Sequence, residues 1–220
     1  MSGKITALKV QARNKQRVNV FLDDRFAFGL AAIEAARLKV GQSLSDEDIA
    51  RLMAADLVEA AYERALKFLS YRPRAEAEIR RHLRQHDTGE SEIDEVMARL
   101  KRSGLADDSA FARLWIENRA QFRPKGRRAL KAELRQKGLT GDQAEEALVE
   151  VDDEEAAHQA ARTRARRLAK LSRAEFSHKL SGFLARRGFG YETIETVVER
   201  VWREAVEQGL ASDADSESEE

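Results

Sequence analysis

A helical pattern recurs at an interval of about 50 residues, and this recurrence restricts the fold more than any other feature of the chain. Leu83, Leu134 and Leu184 follow one another at separations of 51 and 50 residues. At the first separation, the segment Tyr71-Arg72-Pro73-Arg74 aligns with Phe122-Arg123-Pro124-Lys125. Self-similarity at such a period is typical of repeat proteins, in which each copy is one supersecondary unit that packs on its neighbours. The sequence therefore predicts a mainly helical protein built from tandem units.

Each unit has the pattern helix, short break, helix, glycine-containing turn, helix. Proline at the start of a helix is tolerated because its missing N–H would be unpaired there. Gly104, Gly138 and Gly188 lie where helices are expected to end in a left-handed residue. The third copy is less regular than the first two. The predicted divisions are a β-rich segment with a short helix at 1–44, helical repeats at 45–107, 108–153 and 154–208, and a disordered acidic tail at 209–220.

The N-terminal segment has a different pattern. Residues 4–30 cluster or alternate β-forming side chains, and Asp23-Asp24 supplies turn residues, which predicts a hairpin or a three-stranded meander. A short helix, "AAIEAARL", follows and closes near Gly41. Ser45 and Asp48 then have the spacing of a capping box, which predicts a helix that begins there and continues to about Ser70.

Charge is distributed in blocks although the formal net charge is zero. Residues 141–156 hold eight acids and no Lys or Arg, whereas residues 162–187 hold nine Lys/Arg and a single acid. Residues 121–138 carry seven Lys/Arg and one acid, and residues 204–220 carry seven acids and no base. Charged residues make up 35% of the chain, above the usual quarter, which favours an open shape with much surface. A neutral sum therefore does not exclude an anionic partner.

Several functional classes are not supported by any motif. The chain has no cysteine, so disulfides and thiolate metal sites are excluded. His82 and His86 have a spacing that can hold zinc on a helix, but no third ligand is evident. Neither a phosphate-binding glycine loop nor a nucleophile with a His/Asp partner is present, so we expect a binding protein without a cofactor. No signal peptide or membrane span is apparent, and we expect a cytoplasmic monomer.

Basic residues recur beside the predicted core. Arg80 and Arg84 each follow a predicted core residue by one position, and Lys131 and Arg135 do the same in the second unit. One position is about 100° of helix rotation, so both pairs lie on the same side of equivalent helices. The alternative is an ordinary solvated helix face. The predicted partner- or DNA-binding residues are Arg72, Arg74, Arg80, Arg84, Arg123, Lys125, Arg127, Arg128, Lys131 and Arg135.

The third unit departs from this basic pattern. Ser181 and Ala185 occupy the corresponding positions, and its basic residues lie instead in "ARTRARRLAK" and at Arg186-Arg187. Tyr71 and Phe122 precede the Arg-Pro steps of the first two units. Stacking on unpaired bases is one interpretation of these rings, but packing at the helix junction is favoured. Four further aromatic residues are predicted to be core: Phe111, Trp115, Phe183 and Trp202.

Three segments together resemble the RecX family of recombinase regulators. They are "YERALKFLSYRPRAEAEIRRHLRQ" (62–85), "LKRSGLADDSAFARLWIENR" (100–119) and "GRRALKAELRQKGL" (126–139), and the resemblance covers about residues 56–205. It implies three-helix repeats in an elongated, curved array. It also implies binding to the RecA filament on single-stranded DNA, with inhibition of recombinase, ATPase and coprotease activity in DNA repair, recombination and the SOS response.

Two other interpretations of the sequence remain open. A stand-alone nucleic-acid-binding repeat protein, which would bind single- or double-stranded DNA without the recombinase, would account for the same basic residues. A third interpretation has the tail "DADSESEE" compete as a nucleic-acid mimic.

Overall fold

The computed structural model describes residues 2–211, which form four strands and ten α-helices. The chain divides into two compact units, and the division falls between Ala106 and Asp107. The first unit contains β1 (Gly3–Val10), β2 (Arg17–Leu22), β3 (Arg25–Ala31), α1 (Ala32–Ala35), β4 (Ser43–Leu44), α2 (Asp46–Leu69), α3 (Glu76–Arg84) and α4 (Glu90–Arg102). The second contains α5 (Asp108–Phe122), α6 (Arg127–Gln136), α7 (Asp142–Val149), α8 (Asp153–Leu168), α9 (Arg173–Arg186) and α10 (Tyr191–Glu207).

The N-terminal strands form an antiparallel sheet in the order β3-β2-β1-β4. Asp23 and Asp24 have φ angles of 46° and 66°, which match the two-residue turn that joins strands with the usual right-handed twist. The predicted three-stranded meander is confirmed. Strand β4 could not be predicted, because two residues are too few to show an alternating pattern. Alternate side chains such as Ile5, Val20 and Leu30 point into the core of this sheet.

The first three-helix repeat packs α2, α3 and α4 around one apolar cluster. The predicted capping box is confirmed, since the Ser45 hydroxyl accepts from the Asp48 N–H and the Asp48 carboxylate accepts from the Ser45 N–H. On α3, Ile79 and Leu83 lie one turn apart and are fully buried. Burial of each such side chain contributes about 1.5–3 kcal/mol to folding.

The second unit holds two more three-helix repeats. Leu130 and Leu134 of α6 repeat the buried stripe of α3, and Leu180 and Leu184 repeat it on α9. The third repeat has an apolar cluster of its own around Phe176, which lies 5.0 Å from the Trp202 ring. The leucine repeat in the sequence therefore marks the same buried position in three successive units.

Glycine ends several of these helices as predicted. Gly104, Gly138 and Gly188 have φ angles of 66°, 94° and 84°, in the region that L-residues with a side chain rarely adopt. The mainly helical fold with a small N-terminal sheet is confirmed. The exact domain boundaries stay a prediction, and residues 212–220 of the predicted disordered tail lie outside the described residues. Within residues 2–211 no helix is both long and apolar enough to span a bilayer.

Candidate anion-binding surfaces

Arg80 on α3 and Lys131 on α6 occupy equivalent positions in two repeats and make equivalent ion pairs. Arg80 Nη1 lies 2.7 Å from Asp94 Oδ1 on α4. Lys131 of α6 likewise forms an ion pair with Glu145 of α7. Each base follows a buried residue of the second helix, and each acid belongs to the third helix of the same repeat. These two cations therefore connect neighbouring helices, and they remain only partly available to a partner.

Arg84 and Arg135, the second basic residues at equivalent positions of α3 and α6, have different surroundings. Arg84 binds Glu90 through both oxygens, at 2.5 and 3.1 Å, and these hydrogen bonds with the charge of Glu90 raise the pKa of Arg84. Arg135 is the counterpart of Arg84, but Gly141 stands where the first repeat has Glu90. Arg135 is exposed and has no ion pair within residues 2–211. Because position 141 offers no carboxylate, this cation is unpaired within the part of the chain that the structure describes.

The arginines beside the first Arg-Pro step have different environments. Arg72 pairs with Glu78 at 3.0 Å, which joins the chain before α3 to its first turn. The Arg74 guanidinium lies 3.9 Å from the centre of the Phe68 ring, and the His82 ring stacks on the same ring at 3.9 Å. Burial, followed by the charge of Arg72, lowers the pKa of Arg74. Arg74 is therefore a cation held by aromatic contact instead of a carboxylate.

His82 and His86 lie edge to face with ring centres 4.7 Å apart. Burial lowers the pKa of His82, and the nearby His86, Arg64 and Arg74 lower it further. A neutral ring suits the stack on Phe68. In the part of the chain that the structure describes, no group of three or more histidines and carboxylates is placed to hold a metal ion.

Glu133 on α6 binds three polar side chains of the second repeat. Its carboxylate accepts from Trp115 Nε1 at 2.8 Å and from Arg119 Nε at 2.9 Å, and it also pairs with Lys125. Burial alone would raise the pKa of Glu133, but the hydrogen bonds from Lys125, Arg119 and Trp115 outweigh it and lower that pKa. We call these four residues the Glu133 cluster. Within it, Lys125 is committed to an internal contact.

Arg127 is also used within the fold. Its guanidinium donates to the carbonyls of Val149 and Val151, with the shortest contact at 2.6 Å, and its backbone N–H donates to Asp153 at 2.8 Å. The carbonyls at the end of α7 are unpaired within the helix, so a cation here both satisfies them and complements the helix dipole. Arg127 thus fixes the passage from α7 to α8.

Three of the ten predicted residues are exposed and have neither an ion pair nor a side-chain hydrogen bond among residues 2–211: Arg123, Arg128 and Arg135. Arg128 and Arg135 are seven positions apart on α6, which places them on one face two turns apart. Lys131 lies on that face between them. We call Arg128, Lys131 and Arg135 the α6 basic face. Lys131 is paired with Glu145, so the uncompensated charge of this face among the described residues belongs to Arg128 and Arg135.

Sequence reasoning did not identify a second basic site, a cavity of about 300 Å³ within the second unit. Arg164 and Arg167 of α8 and Arg187 after α9 line it, together with Phe122 and Phe183, and no acidic residue among residues 2–211 does. The remaining lining residues are Pro124, Gln159, Ala160 and Thr163. We call this site the basic cleft. The block of positive charge at 162–187 signalled it in the sequence, but only the packing of the second repeat against α8 and α9 shows which arginines converge.

The aromatic residues differ from expectation at four positions, Tyr71, Trp115, Phe122 and Phe183. Tyr71 is 74% exposed and Phe122 is 71% exposed, so the prediction that both rings pack a helix junction is wrong. Each lies at or just beyond the C-terminal end of its helix, past the buried stripe. Phe111 and Trp202 are core residues as predicted, whereas Trp115 and Phe183 are half-buried and contact basic side chains.

Family profiles cover the chain from its N-terminal sheet to its last repeat. The Regulatory protein RecX N-terminal domain matches residues 3–45. The first, second and third three-helix domains of RecX match residues 61–100, 107–148 and 152–198. The profiles occur in the order of the repeats seen in the structure.

Individual relatives agree with these profiles. Regulatory protein RecX of Bacillus subtilis is 33% identical over 202 residues, which span 90% of this chain and 76% of that protein. Regulatory protein RecX of Lactobacillus gasseri is also 33% identical, over 90% of this chain and 74% of that protein.

Solved structures agree as well. A crystal structure of regulatory protein RecX superposes with a TM-score of 0.75 at 29% identity, over 90% of this chain and all of that one. RecX from Lactobacillus salivarius superposes with a TM-score of 0.60 at 28% identity, over 67% of this chain and 97% of that one. With the same repeats in the same order and closely similar folds, the chain belongs to the RecX family of regulatory proteins.

Proposed function

We propose that this protein binds the RecA recombinase and its filament on single-stranded DNA, and that it inhibits recombinase, ATPase and coprotease activity. The observation that carries the proposal is the match to every RecX domain, from the N-terminal sheet to the third repeat, together with relatives named as regulatory proteins. In this proposal the chain acts by binding and performs no chemistry of its own.

The α6 basic face supports a charged partner. Arg128 and Arg135 are exposed cations with no carboxylate partner in the structure of residues 2–211, so a partner can neutralise them without first breaking a pair seen there. Arg80 and Lys131 can join such a contact only if Asp94 and Glu145 release them or share them. Exposed pairs of this kind are worth about 0–1 kcal/mol, so exchange with a partner's carboxylate or phosphate costs little.

Inhibition follows if the protein prefers one state of the filament. A ligand shifts a conformational equilibrium only by the difference in its affinity for the two states. Bound repeats that favour a less extendable arrangement of recombinase subunits would restrain growth and slow ATP hydrolysis. Simple occupancy without such a preference would leave the activities unchanged.

Co-sedimentation tests the proposal directly. The full chain is mixed with RecA filaments assembled on single-stranded DNA, with bare DNA and free RecA as separate controls, and ATP hydrolysis is measured in parallel. We expect the protein to pellet with filaments and to lower the ATPase rate at a matching concentration. Equal binding to bare DNA, with no change in ATPase rate, would instead favour a stand-alone nucleic-acid-binding protein.

A further inference from the structure

We propose that the basic cleft is a binding site for single-stranded nucleic acid, in which Arg164 and Arg167 bind backbone phosphate and Phe122 stacks on an unpaired base. Its biological setting rests on the proposed function, because the filament supplies the strand. The binding itself does not depend on RecA and can be measured without it.

The residues that line the cleft carry a net positive charge, which suits a negatively charged strand. Arg164 and Arg167 are exposed on α8, and neither forms an ion pair within the described part of the chain. Over the described stretch of the chain, no carboxylate is among the residues that line the cleft. Arg123 lies close enough to Arg187 that, after burial, its charge is the second cause that lowers the pKa of Arg187. Like charges gathered without a counter-ion attract an anion and oppose one another in its absence.

Arg187 has a different role from the two arginines of α8. It donates to the Pro124 carbonyl at 3.0 Å, and its guanidinium lies 4.7 Å from the centre of the Phe183 ring. These contacts hold one wall of the cleft and use part of its hydrogen-bonding capacity. We therefore assign Arg187 a positioning role, and the phosphate contacts to Arg164 and Arg167.

The exposed ring of Phe122 favours a single strand over other polyanions. Phe122 presents 71% of its surface to solvent at the end of α5, beside the arginines of the cleft. Aromatic side chains next to a basic groove are the usual means of holding single strands, because every base has a face that can stack. A duplex keeps its bases stacked on one another and offers no face to Phe122. An acidic peptide would satisfy the arginines but would leave the ring exposed.

Helix α8 supplies its own control. Arg162 and Arg166 are exposed on the same helix but flank its buried stripe on the other side, near Glu204 and Gln208. The two arginine pairs have the same charge and similar exposure and differ in the face of the helix on which they lie. A ligand held by overall charge would respond to both pairs alike, whereas a ligand in the cleft would respond to one.

The experiment measures binding of a fluorescently labelled oligothymidylate to the full chain by anisotropy, in the absence of recombinase and over a range of salt concentrations. We expect R164Q/R167Q to lose at least about tenfold in affinity at low salt. Its log–log salt slope should fall by about 1.4, because each phosphate contact on a single strand contributes about 0.7. R162Q/R166Q should bind within about twofold of the unaltered protein, since exposed charges away from the ligand act only through screened attraction.

Phe122 gives an independent test that changes no charge. Loss of a base–aromatic stack weakens binding by about fivefold or more, so F122L should lose that much and F122Y should bind like the unaltered protein. Thermal unfolding followed by circular dichroism checks that each variant is folded. All these side chains are exposed, so we expect unchanged melting temperatures.

Several outcomes would overturn this inference. Equal losses in the two arginine variants would show attraction to overall charge, and unchanged binding in R164Q/R167Q would place the strand elsewhere. If that variant kept its oligonucleotide affinity but lost binding to free RecA, the cleft would hold an acidic protein segment. Filament co-sedimentation of the unaltered protein, without any affinity for the oligonucleotide, would remove the cleft's assignment and leave the proposed function standing.

Discussion

At the scale of single residues, Glu133 removes a predicted cation from the binding surface. In the sequence, Lys125 stands in the Arg-Pro motif and looks available to a partner. In the structure its ammonium pairs with Glu133, which also receives Arg119 and the Trp115 indole. Lys125 precedes the start of α6, so its pair with Glu133 is not one of the helical i, i+3 or i, i+4 pairs that a sequence can show. Sequence reasoning therefore could not find this pair, which depends on the course of the loop that joins α5 to α6.

Substitution of Glu133 by Gln should destabilise the second unit, because it leaves two largely buried cations without their counter-charge. We expect the free energy of unfolding in urea to fall by about 1–3 kcal/mol, with Trp115 fluorescence as one probe. The control E145Q removes a half-exposed pair and should cost about 0.5 kcal/mol or less. An equally small effect of both substitutions would contradict the role of the Glu133 cluster.

The same carboxylate predicts a dependence of stability on pH. The folded-state pKa of Glu133 is lower than its unfolded value, so its contribution is fully present above the unfolded pKa. That contribution is lost as pH falls through the folded pKa. The stability difference between the unaltered protein and E133Q should therefore shrink in acid, and a constant difference down to low pH would argue against it.

Gly188 is a residue at which any side chain conflicts with its surroundings. Its φ is +84°, and an added Cβ would lie 2.5 Å from the Cβ of Ala129 on α6. We expect G188A to lower the unfolding free energy of the second unit by at least about 1 kcal/mol, measured by denaturant titration. G182A makes the same change inside α9, where space is available, and should instead stabilise by about 0.5–1 kcal/mol. Effects of the same sign in both variants would contradict this account.

At the scale of helices and strands, local patterns predicted what local contacts determine. The buried stripes on α3, α6 and α9 were visible as leucines at fixed intervals, and the start of α2 was visible as Ser45 with Asp48. The cross-helix pairs were not visible, because Arg80 and Asp94 belong to different helices and meet only after these pack. The strand β4 is too short to show a period, and the exposure of Phe122 depends on where α5 ends relative to its buried face.

The pKa of Asp48 at the start of α2 can be tested by titration. Hydrogen bonds from the Ser45 side chain and backbone, followed by one from Arg51, lower the pKa of Asp48 to about 2. An NMR titration of its carboxyl carbon should therefore show a midpoint near 2, and the cap should persist until the pH falls through that value. S45A should raise the midpoint and lower stability by about 1 kcal/mol. A midpoint near 3.8 in the unaltered protein would show that the capping box does not form in solution.

At the scale of the molecule, fold class and family could be inferred from the sequence, whereas most of the binding surface could not. Repeats and apolar periodicity are properties of the sequence itself, so they can be recognised without knowing how the helices pack. The basic cleft depends on contacts such as that between Arg187 and Pro124, which are 63 positions apart. Six of the ten predicted basic residues proved to have polar partners within the fold, and Arg74 has an aromatic one. A charged face is visible in a sequence, but its counter-charges are not.

Charge reversal at Arg128 and Arg135 tests whether the α6 basic face binds the filament. R128E/R135E should weaken co-sedimentation with RecA filaments at least about tenfold, equivalent to about 1.4 kcal/mol, because two attractive contacts become repulsive. R13E/K15E makes the same change in charge on the exposed loop between β1 and β2 and should leave binding unchanged. Equal losses in both would indicate a response to net charge alone, and no loss in either would exclude this face.

The close approach of Gly126 and Gly188 has a consequence for anyone who shortens this protein. The Gly126 amide donates to the Arg187 carbonyl at 3.1 Å, and the two glycine backbones lie too close to admit a methyl group between them. A fragment that stops after residue 151 would remove these partners from the second repeat. The smallest piece worth expressing from this half of the chain therefore begins at Asp107 and extends through α10.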